Sequence, residues 1–164
     1  MKKFLLIGIL FLSACATVST PPPEWNAVSS SLESEYTPYL KKGSGKISGQ
    51  AFLTQRGGGV VKAAGRNVTL DPATSVGNEW WGKAGVVWQF KSLTPSSPNF
   101  HKARKVAVAD ADGRFKFSNL PDGEYYVRTE VTWLAGSMQG GLVGAKVKVE
   151  NGATIEVILN QFAK

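Results

Sequence analysis

The sequence predicts an all-β domain, and three observations carry that prediction. Phe115 and Phe117 lie two positions apart, and so do Tyr125 and Val127 in the run that follows. A period of two places alternate side chains on opposite faces of a strand. Asp112-Gly113 has the composition of a tight hairpin turn, because both residues tolerate positive φ angles. Eighteen glycines and eight prolines are typical of a turn-rich β protein rather than a helical bundle.

Further strands follow from the same alternation along the chain. Besides the two runs within 114–133, we predict strands at residues 45–55, 60–70, 85–90, 105–110, 138–150 and 154–160. Asp71-Pro72 is expected to end the second of these strands, because proline cannot donate a hydrogen bond to a ladder. Pro121-Asp122-Gly123 is expected to form a turn, since proline presets φ and glycine supplies a left-handed residue.

A short helix is a weaker prediction for residues 24–36, which precede the first strand. Trp25, Val28, Leu32 and Tyr36 follow the spacing of three and four that places side chains on one helical face. Docking on the domain is the expected role, and a free helix for a partner protein stays the alternative. The residues that follow, up to the first strand, are expected to be extended.

An insertion around residues 73–103 interrupts the strand pattern. Residues 78–83 are expected to form a helical turn, and residues 92–103 are expected to form a loop that contains His101, the one histidine of the chain. Trp80, Trp81 and Trp88 fall within nine positions. We favour a packing role, in which these tryptophans cover the open end of a core. The alternative is an aromatic platform for a sugar ring or a peptide.

The N-terminus has the features of a lipoprotein signal. Lys2-Lys3 precedes an apolar run of about nine residues, far short of the roughly 20 that span a bilayer as a helix. Residues 12–15 (Leu-Ser-Ala-Cys) resemble the lipobox of bacterial lipoproteins. In that family the signal is cut before the cysteine, which is then acylated. The resemblance therefore implies a signal peptide at 1–14 and a lipidated Cys15. We expect a tether and docking segment at 15–44, followed by a domain at 45–164.

The lipobox resemblance also implies an address. Cys15 would carry three fatty acyl chains such as palmitate, and two or more chains hold a protein stably on a membrane. Ala16 follows the cysteine, where the enteric sorting pattern uses aspartate to retain a lipoprotein at the inner membrane. We therefore expect an outer-membrane, lipid-anchored protein that faces the periplasm. Cys15 is the only cysteine, so no disulfide is expected. Pro21–Pro23 favours a semi-rigid polyproline spacer.

Four segments together are similar to the carboxypeptidase regulatory-like domain, a transthyretin-like (prealbumin-like) fold. They are residues 47–52 (Ile-Ser-Gly-Gln-Ala-Phe), 64–70 (Ala-Gly-Arg-Asn-Val-Thr-Leu), 112–117 (Asp-Gly-Arg-Phe-Lys-Phe) and 120–125 (Leu-Pro-Asp-Gly-Glu-Tyr). The resemblance implies a seven-stranded antiparallel β-sandwich over residues 45–160. A short N-terminal helix or extended segment would precede it, and the insertion around 73–103 would be added. It points to the regulatory module of carboxypeptidases and not to their catalytic domain.

Catalytic and nucleic-acid functions find little support in the residues. Zinc catalysis needs a cluster of His, Cys and carboxylate ligands, whereas the chain has one histidine and one cysteine. No nucleophile motif accompanies His101, and residues 110–113 resemble a calcium loop without its later glutamate. The net charge of +7 falls to +5 without Lys2 and Lys3, and no basic run carries interleaved aromatic residues. We expect no enzyme activity, no cofactor, no metal and no nucleic-acid partner.

The expected function is therefore a non-catalytic interaction or scaffolding module of the cell envelope, held on the membrane through Cys15 and bound to another envelope protein. The alternative is a glycan- or peptide-binding module that uses Trp80, Trp81 and Trp88. Anionic lipid headgroups are a further partner to consider if cationic side chains gather on neighbouring strands. Those side chains are Lys102, Arg104, Lys105, Arg114 and Lys116.

Overall fold

The computed structural model describes residues 30–84 and 97–161. The described strands are β1 (Gly45–Thr54), β2 (Val60–Lys62), β3 (Asn67–Pro72), β4 (Lys105–Val108), β5 (Arg114–Leu120), β6 (Gly123–Ala135), β7 (Ser137–Val149) and β8 (Thr154–Leu159). The described helices are α1 (Ser30–Ser34), a 3₁₀ turn (Thr37–Leu40), α2 (Ser75–Ala84) and α3 (Pro98–Ala103). Within these ranges no helix has both the length and the apolar character needed to cross a membrane.

Two sheets form a β-sandwich, which confirms the predicted fold class. In the first sheet, β1 pairs antiparallel with β2 and β5 and parallel with β8. The second sheet has the order β4-β3-β6-β7 and is antiparallel throughout. The parallel pair arises because the turn at Asn151-Gly152 carries the chain from the second sheet to the first, instead of closing a hairpin with β7.

The described part of the chain contains eight strands rather than seven, because the strand region predicted at 60–70 is divided. Gly65 adopts a φ of +70°, a left-handed value that glycine reaches without steric cost. The chain turns there and passes from β2 in the first sheet to β3 in the second. As predicted, the strand ends at Pro72, which lies opposite Tyr125.

The core fills the space between the sheets with the alternating residues that the sequence pattern places inside. Phe115 and Phe117 of β5 lie beside Ile47 of the neighbouring strand β1. From the other sheet, Tyr125, Val127 and Val131 of β6 point into the same core. The remaining members are small or β-branched. They include Ala51, Ala63, Val68, Leu70, Val143, Val149 and Leu159. This alternation of buried and exposed positions confirms the period-two prediction for β5.

The helical segments differ from the prediction in extent. The described part of the N-terminal helix runs from Ser30 to Ser34, and a 3₁₀ turn replaces the extended stretch expected after it. The helical turn expected at 78–83 is the longer helix α2. The prediction of a loop at 92–103 is wrong for residues 98–103, which form α3. Ser97 caps α3 by accepting a hydrogen bond from the N–H of Phe100, and Pro98 occupies the first turn, where its missing N–H costs nothing. The strand predicted at 85–90 lies outside the described residues.

Candidate functional site

Only some of the candidate residues predicted from the sequence lie among the residues that the structure describes. Cys15 and Trp88 lie outside the described residues, and Trp80 belongs to α2 without a described side chain. Trp81 is described and buried, with 5% of its surface exposed. The tryptophan cluster as a ligand site therefore stays a prediction, and the structure assigns Trp81 a packing role.

Trp81 packs against the outer face of the second sheet. Its indole stacks on the ring of Tyr126 with centroids 4.4 Å apart and planes inclined by 16°. A methyl group at Gly144 of β7 would lie 2.6 Å from Cη2 of Trp81, so the indole contacts the strand where no side chain intervenes. Tyr126 in turn donates its hydroxyl hydrogen to Oδ1 of Asn78, at 2.7 Å. These contacts fix α2 on β6 and β7.

The N-terminal helix α1 joins α2 and α3 through two carboxylates. The Oε2 and Oε1 atoms of Glu35 accept the backbone N–H and the hydroxyl of Ser75, at 2.7 and 2.9 Å, at the first residue of α2. Glu33 accepts the N–H of Asn99 in the first turn of α3, at 3.3 Å. Carboxylates at helix N-termini satisfy free N–H groups and complement the helix dipole. We call α1, the 3₁₀ turn, α2 and α3 the helical cap, and the predicted docking of the N-terminal segment is confirmed for its described part.

A buried ion cluster lies beneath the helical cap. Nε and Nη2 of Arg104 donate to the two carboxylate oxygens of Asp71 at 2.6 and 2.8 Å. The Arg128 guanidinium approaches the same carboxylate at 3.6 Å, and burial is the main cause that lowers the pKa of Arg128. The Arg104 guanidinium also lies 4.3 Å from the centre of the Phe100 ring. Paired charges of this kind hold the cap on the sheet, because removing one partner would leave a buried charge uncompensated.

The partly buried position of Arg104, paired with Asp71, overturns the cationic surface considered from the sequence. Arg104 is enclosed under the helical cap, whereas Arg114 and Lys116 are exposed on β5 of the other sheet. The cavity beside the ion cluster has a volume of about 10 Å³ and is lined by Asp71, Gly77, Phe100, Arg104 and Tyr126. A cavity of that size holds about one water molecule. Among the described residues, this cavity leaves no room for a larger ligand.

An open groove lies at the other end of β6. One wall is the turn after β1, formed by Thr54, Gln55 and Arg56, and the other is the tip of the β6–β7 hairpin. Trp133, Ala135, Gln139 and Gly140 line that second wall, and the groove has a volume of about 600 Å³. We call it the hairpin groove. Its volume falls within the range of small-molecule sites, roughly 300–1,000 Å³.

Trp133 is the central side chain of the hairpin groove. It lies in phase with Val127 and Val131 on the inner face of β6, but beyond the point where the core ends. Its strand partner is Gln139. A methyl group at Gly140 would lie 2.8 Å from Cζ3 of Trp133, so the indole lies against the backbone of β7. The ring is half-buried and held in one orientation, which is the condition for a rigid stacking surface.

The chemistry of the hairpin groove is that of recognition. Its walls offer amide, hydroxyl and guanidinium groups beside an indole, and these groups bind ligands without supplying a nucleophile and base. Across residues 30–84 and 97–161 no three His, Cys, Asp or Glu side chains gather as a metal site. His101 is exposed in α3, with its ring edge-on to Phe100 at 5.3 Å, and does not belong to the groove.

Sequence reasoning missed Trp133 as a site residue. The alternation that placed Tyr125 and Val127 inside also places Trp133 on the inner face, and this predicts a core residue. What it could not show is that the facing sheet ends before Trp133 does. The length of the two strands is the signal that could have identified Trp133. β6 and β7 each have 13 residues, whereas typical strands have five or six.

Comparison with known proteins supports the fold. No protein-family model matches the chain, and no curated protein matches its sequence. PA1324 of Pseudomonas aeruginosa, a candidate carbohydrate-binding protein, is a similar solved structure: 29% identity and a TM-score of 0.66, over 86% of this chain and all of that one. The major pilin subunit BcpA of Bacillus cereus (16% identity, TM-score 0.41) and the minor pilin GBS52 of Streptococcus agalactiae (15%, 0.39) are more distant. This chain matches over 73% and 71% of its length there, covering 30% and 44% of the two pilins.

These neighbours are a candidate binding protein and structural subunits. The similarity to PA1324 supports a β-sandwich fold for this chain. The more specific assignment to the carboxypeptidase regulatory-like domain stays a prediction, as does the lipoprotein signal.

Proposed function

We propose that the protein is a lipid-anchored, periplasm-facing binding module of the cell envelope, and that the hairpin groove binds a glycan. The observation that carries the proposal is the groove itself, in which an oriented tryptophan stands between polar walls. The proposal keeps the non-catalytic interaction role expected from the sequence. It moves the ligand site from the tryptophans of the insertion to Trp133.

The groove matches the chemistry of a sugar. The π-face of an indole is negatively polarised, so it attracts the C–H-bearing face of a pyranose ring. The side-chain amides of Gln55 and Gln139 both donate and accept hydrogen bonds, as the hydroxyl groups of a sugar require. The Nε2 of Gln139 already donates to Oγ of Ser137 at 2.8 Å, which holds the amide at the rim. A groove of about 600 Å³ accommodates a short oligosaccharide.

The Pseudomonas neighbour supports the same ligand class. Its description as a candidate carbohydrate-binding protein applies to that chain, and this chain covers all of it at 29% identity. A common fold does not establish a common ligand. The independent support is the groove, which was identified from the shape and composition of this chain alone.

The position of the groove suits a protein held at its N-terminus. Tyr39 of the 3₁₀ turn packs edge-on against Tyr125, at 5.3 Å, near the start of β6. Trp133 lies eight residues further along β6, about 27 Å away at the rise of an extended strand. The 15 residues from Cys15 to Ser30 reach at most about 50 Å when extended. An anchor at Cys15 would therefore leave the groove on the end of the domain opposite the attachment point.

A binding assay tests the glycan site. The intact domain is titrated with chitotetraose, maltotetraose and tetragalacturonate in a calorimeter, and at least one of the three is expected to bind. Trp133→Ala should weaken that binding at least about tenfold, which corresponds to about 1.4 kcal/mol. Leu134→Ala is the matched control, because its side chain lies on the opposite face of the same hairpin and is 77% exposed. The control should bind as the unaltered protein does.

Two results would reject the groove as the glycan site. Binding unchanged in Trp133→Ala is the first, and its loss in Trp88→Ala instead would return the site to the tryptophan cluster of the insertion. Absence of binding to all three oligosaccharides is the second. That second result would favour a protein partner.

The lipid anchor has its own test. Cells that express the full chain are grown with radiolabelled palmitate, and the label is expected to enter the protein. Cys15→Ser should remove the label and release the protein from the membrane fraction, because no other cysteine can take its place. A Cys15→Ser protein that stays with the outer membrane to the same extent would contradict the anchor.

A protein partner is the second candidate function, and one observation favours it. Leu134 and Met138 face each other across the tip of the β6–β7 hairpin and are 77% and 68% exposed. An apolar tip of this kind suits contact with another envelope protein. A photo-crosslinker at position 134 should then capture a defined envelope protein, and one at position 116 on the opposite sheet should not.

A further inference from the structure

The described residues that line the hairpin groove carry a net positive charge. Among the described residues that line it, Arg56 supplies a positive charge and none supplies a negative one. The other lining groups are hydroxyl, amide, indole, a methyl group and backbone. A site without carboxylates repels no anionic ligand, and one guanidinium attracts it.

Arg56 differs from the arginines that hold the fold together. The Arg104 guanidinium is engaged by both oxygens of Asp71, and Arg66 donates to Oγ1 of Thr132 at 3.0 Å. Arg56 is exposed in the turn after β1, and it forms no ion pair with any other residue in the described ranges. Its planar fork of N–H donors thus keeps the geometry that binds a carboxylate through two parallel hydrogen bonds.

Trp133 and Arg56 both line the groove, one from the β6–β7 hairpin and the other from the turn after β1. An indole takes the apolar face of a sugar ring, and a guanidinium in the same groove takes a group at the edge of that ring. We propose that the hairpin groove selects an acidic glycan, in which Trp133 stacks on a sugar ring and Arg56 pairs with its carboxylate. This inference rests on the proposed glycan function and adds the class of sugar.

A carboxylate-bearing sugar can come from two sources. One is a polysaccharide of uronic acids, and the other is peptidoglycan, whose muramic acid carries a carboxylate on its lactyl ether. The shared chemistry is a pyranose ring with one carboxylate. Two matched pairs of probes separate charge from sugar identity: tetragalacturonate against its methyl ester, and N-acetylglucosaminyl-N-acetylmuramic acid against N,N′-diacetylchitobiose.

The experiment compares affinities within each pair on the intact domain. We expect the acidic member of at least one pair to bind about tenfold or more tighter than its neutral counterpart, the strength typical of a charge-assisted hydrogen bond. Added salt should reduce that preference. Arg56→Gln should remove the preference, because it should weaken binding of the acidic member at least about tenfold more than binding of the neutral member. Arg56→Lys should retain part of it, because lysine keeps the charge but not the fork.

The outcomes distinguish this inference from the function on which it rests. Equal affinity for acidic and neutral members overturns the acidic preference and leaves the glycan function intact. Equal weakening of both members by Arg56→Gln also overturns it, because Arg56 would then shape the groove without sensing charge. If no probe of either pair binds but maltotetraose does, the acidic preference fails and the glycan function stands. If none of these oligosaccharides binds, the proposed glycan function itself fails. Arg56 lies in an exposed turn, so the variants should unfold at the same urea concentration as the original protein, which excludes misfolding.

Discussion

Two tryptophans pack against the β6–β7 hairpin, one in a covered position and the other at an open groove. Trp81 comes from α2 and lies over Gly144 of β7, and Trp133 belongs to β6 and lies over Gly140 of the same strand. Each indole thus contacts the backbone at a glycine. Trp81 is covered on its other face by Tyr126, whereas Trp133 faces the hairpin groove. A tryptophan becomes a site residue when the elements around it stop short of covering it.

The same contrast holds for the two ends of the sandwich. The end beneath the helical cap contains a bidentate buried ion pair, capped helix termini and a cavity of about 10 Å³. The end at the hairpin tip has an open groove and exposed apolar side chains. We therefore expect substitutions at the capped end to change stability, and substitutions at the groove to change binding. The following predictions test that division, beginning with the largest expected effect.

Removing the carboxylate beneath the helical cap should have the largest effect on stability. Asp71→Ala would leave Arg104 and Arg128 without their shared acceptor, and breaking a buried pair in this way costs about 3–5 kcal/mol. Urea unfolding at neutral pH measures the change. Asp112→Ala is the matched control, because the Asp112–Lys62 pair is equally short, at 2.6 Å, but exposed. A similar shift of the midpoint in both variants would contradict the division.

Truncation of the two tryptophans compares the ends directly. Trp81→Ala should lower the free energy of unfolding by about 3 kcal/mol, the cost of emptying a buried aromatic site. Trp133→Ala should lower it by about 1 kcal/mol or less, since its ring is half-buried beyond the core. Glycan affinity should change in the reverse order. If Trp133→Ala proves the more destabilising of the two, Trp133 is a core residue and the groove loses its role.

A methyl group at Gly144 should disturb the packing of Trp81 on β7. Its Cβ would lie 2.6 Å from Cη2 of Trp81 and 2.8 Å from the carbonyl oxygen of Val127, so Gly144→Ala should cost about 1–3 kcal/mol. Gly82→Ala in α2 is the control, because nothing lies within 4 Å of the added methyl. Alanine there should stabilise the helix by up to about 1 kcal/mol. Opposite signs in urea unfolding support the packing of Trp81, and equal signs do not.

High pH should weaken the capped end selectively. All four tyrosines of the chain, Tyr36, Tyr39, Tyr125 and Tyr126, lie there, and burial is the main cause that raises the pKa of each above its ordinary value of 10.0. The folded state therefore favours the protonated phenols. Their contribution to stability is complete below pH 10 and is lost as the pH rises toward the folded-state pKa values.

Tyr125 makes this pH dependence measurable. Its hydroxyl donates to the carbonyl oxygen of Pro121 at 2.7 Å, and it is 2% exposed. Above pH 10, Tyr125 should contribute a loss of up to about 1.4 kcal/mol per pH unit. Tyr125→Phe should therefore give a shallower fall of the urea midpoint with pH. Equal slopes in the two proteins would show that the Tyr125 phenol ionises as readily in the folded state as in the unfolded one.

Much of the fold was predictable because its causes are local. Alternation placed Phe115 and Phe117 on one face of β5. Asp112-Gly113 forms a turn, with Gly113 at a φ of +74°, but the expected hairpin is wrong, because this turn joins β4 and β5, which lie in different sheets. The prediction failed where local signals were ambiguous. Pro98 suggested a loop but begins α3, because Ser97 happens to cap that helix. The strand region at 60–70 looked continuous, but it turns at Gly65 and enters both sheets.

The candidate functional residues also divide into those that local sequence predicts and those that only the tertiary structure brings together. The chain alone establishes which side chains alternate, where turns form, and that one cysteine follows a signal-like segment, since each of these depends on neighbours in sequence. Pairing of distant strands established the rest: Trp81 is covered by Tyr126, Arg104 is enclosed by Asp71, and Trp133 and Arg56 face one groove. Burial depends on what the opposite sheet places across a given position, and no pattern within one strand contains that information.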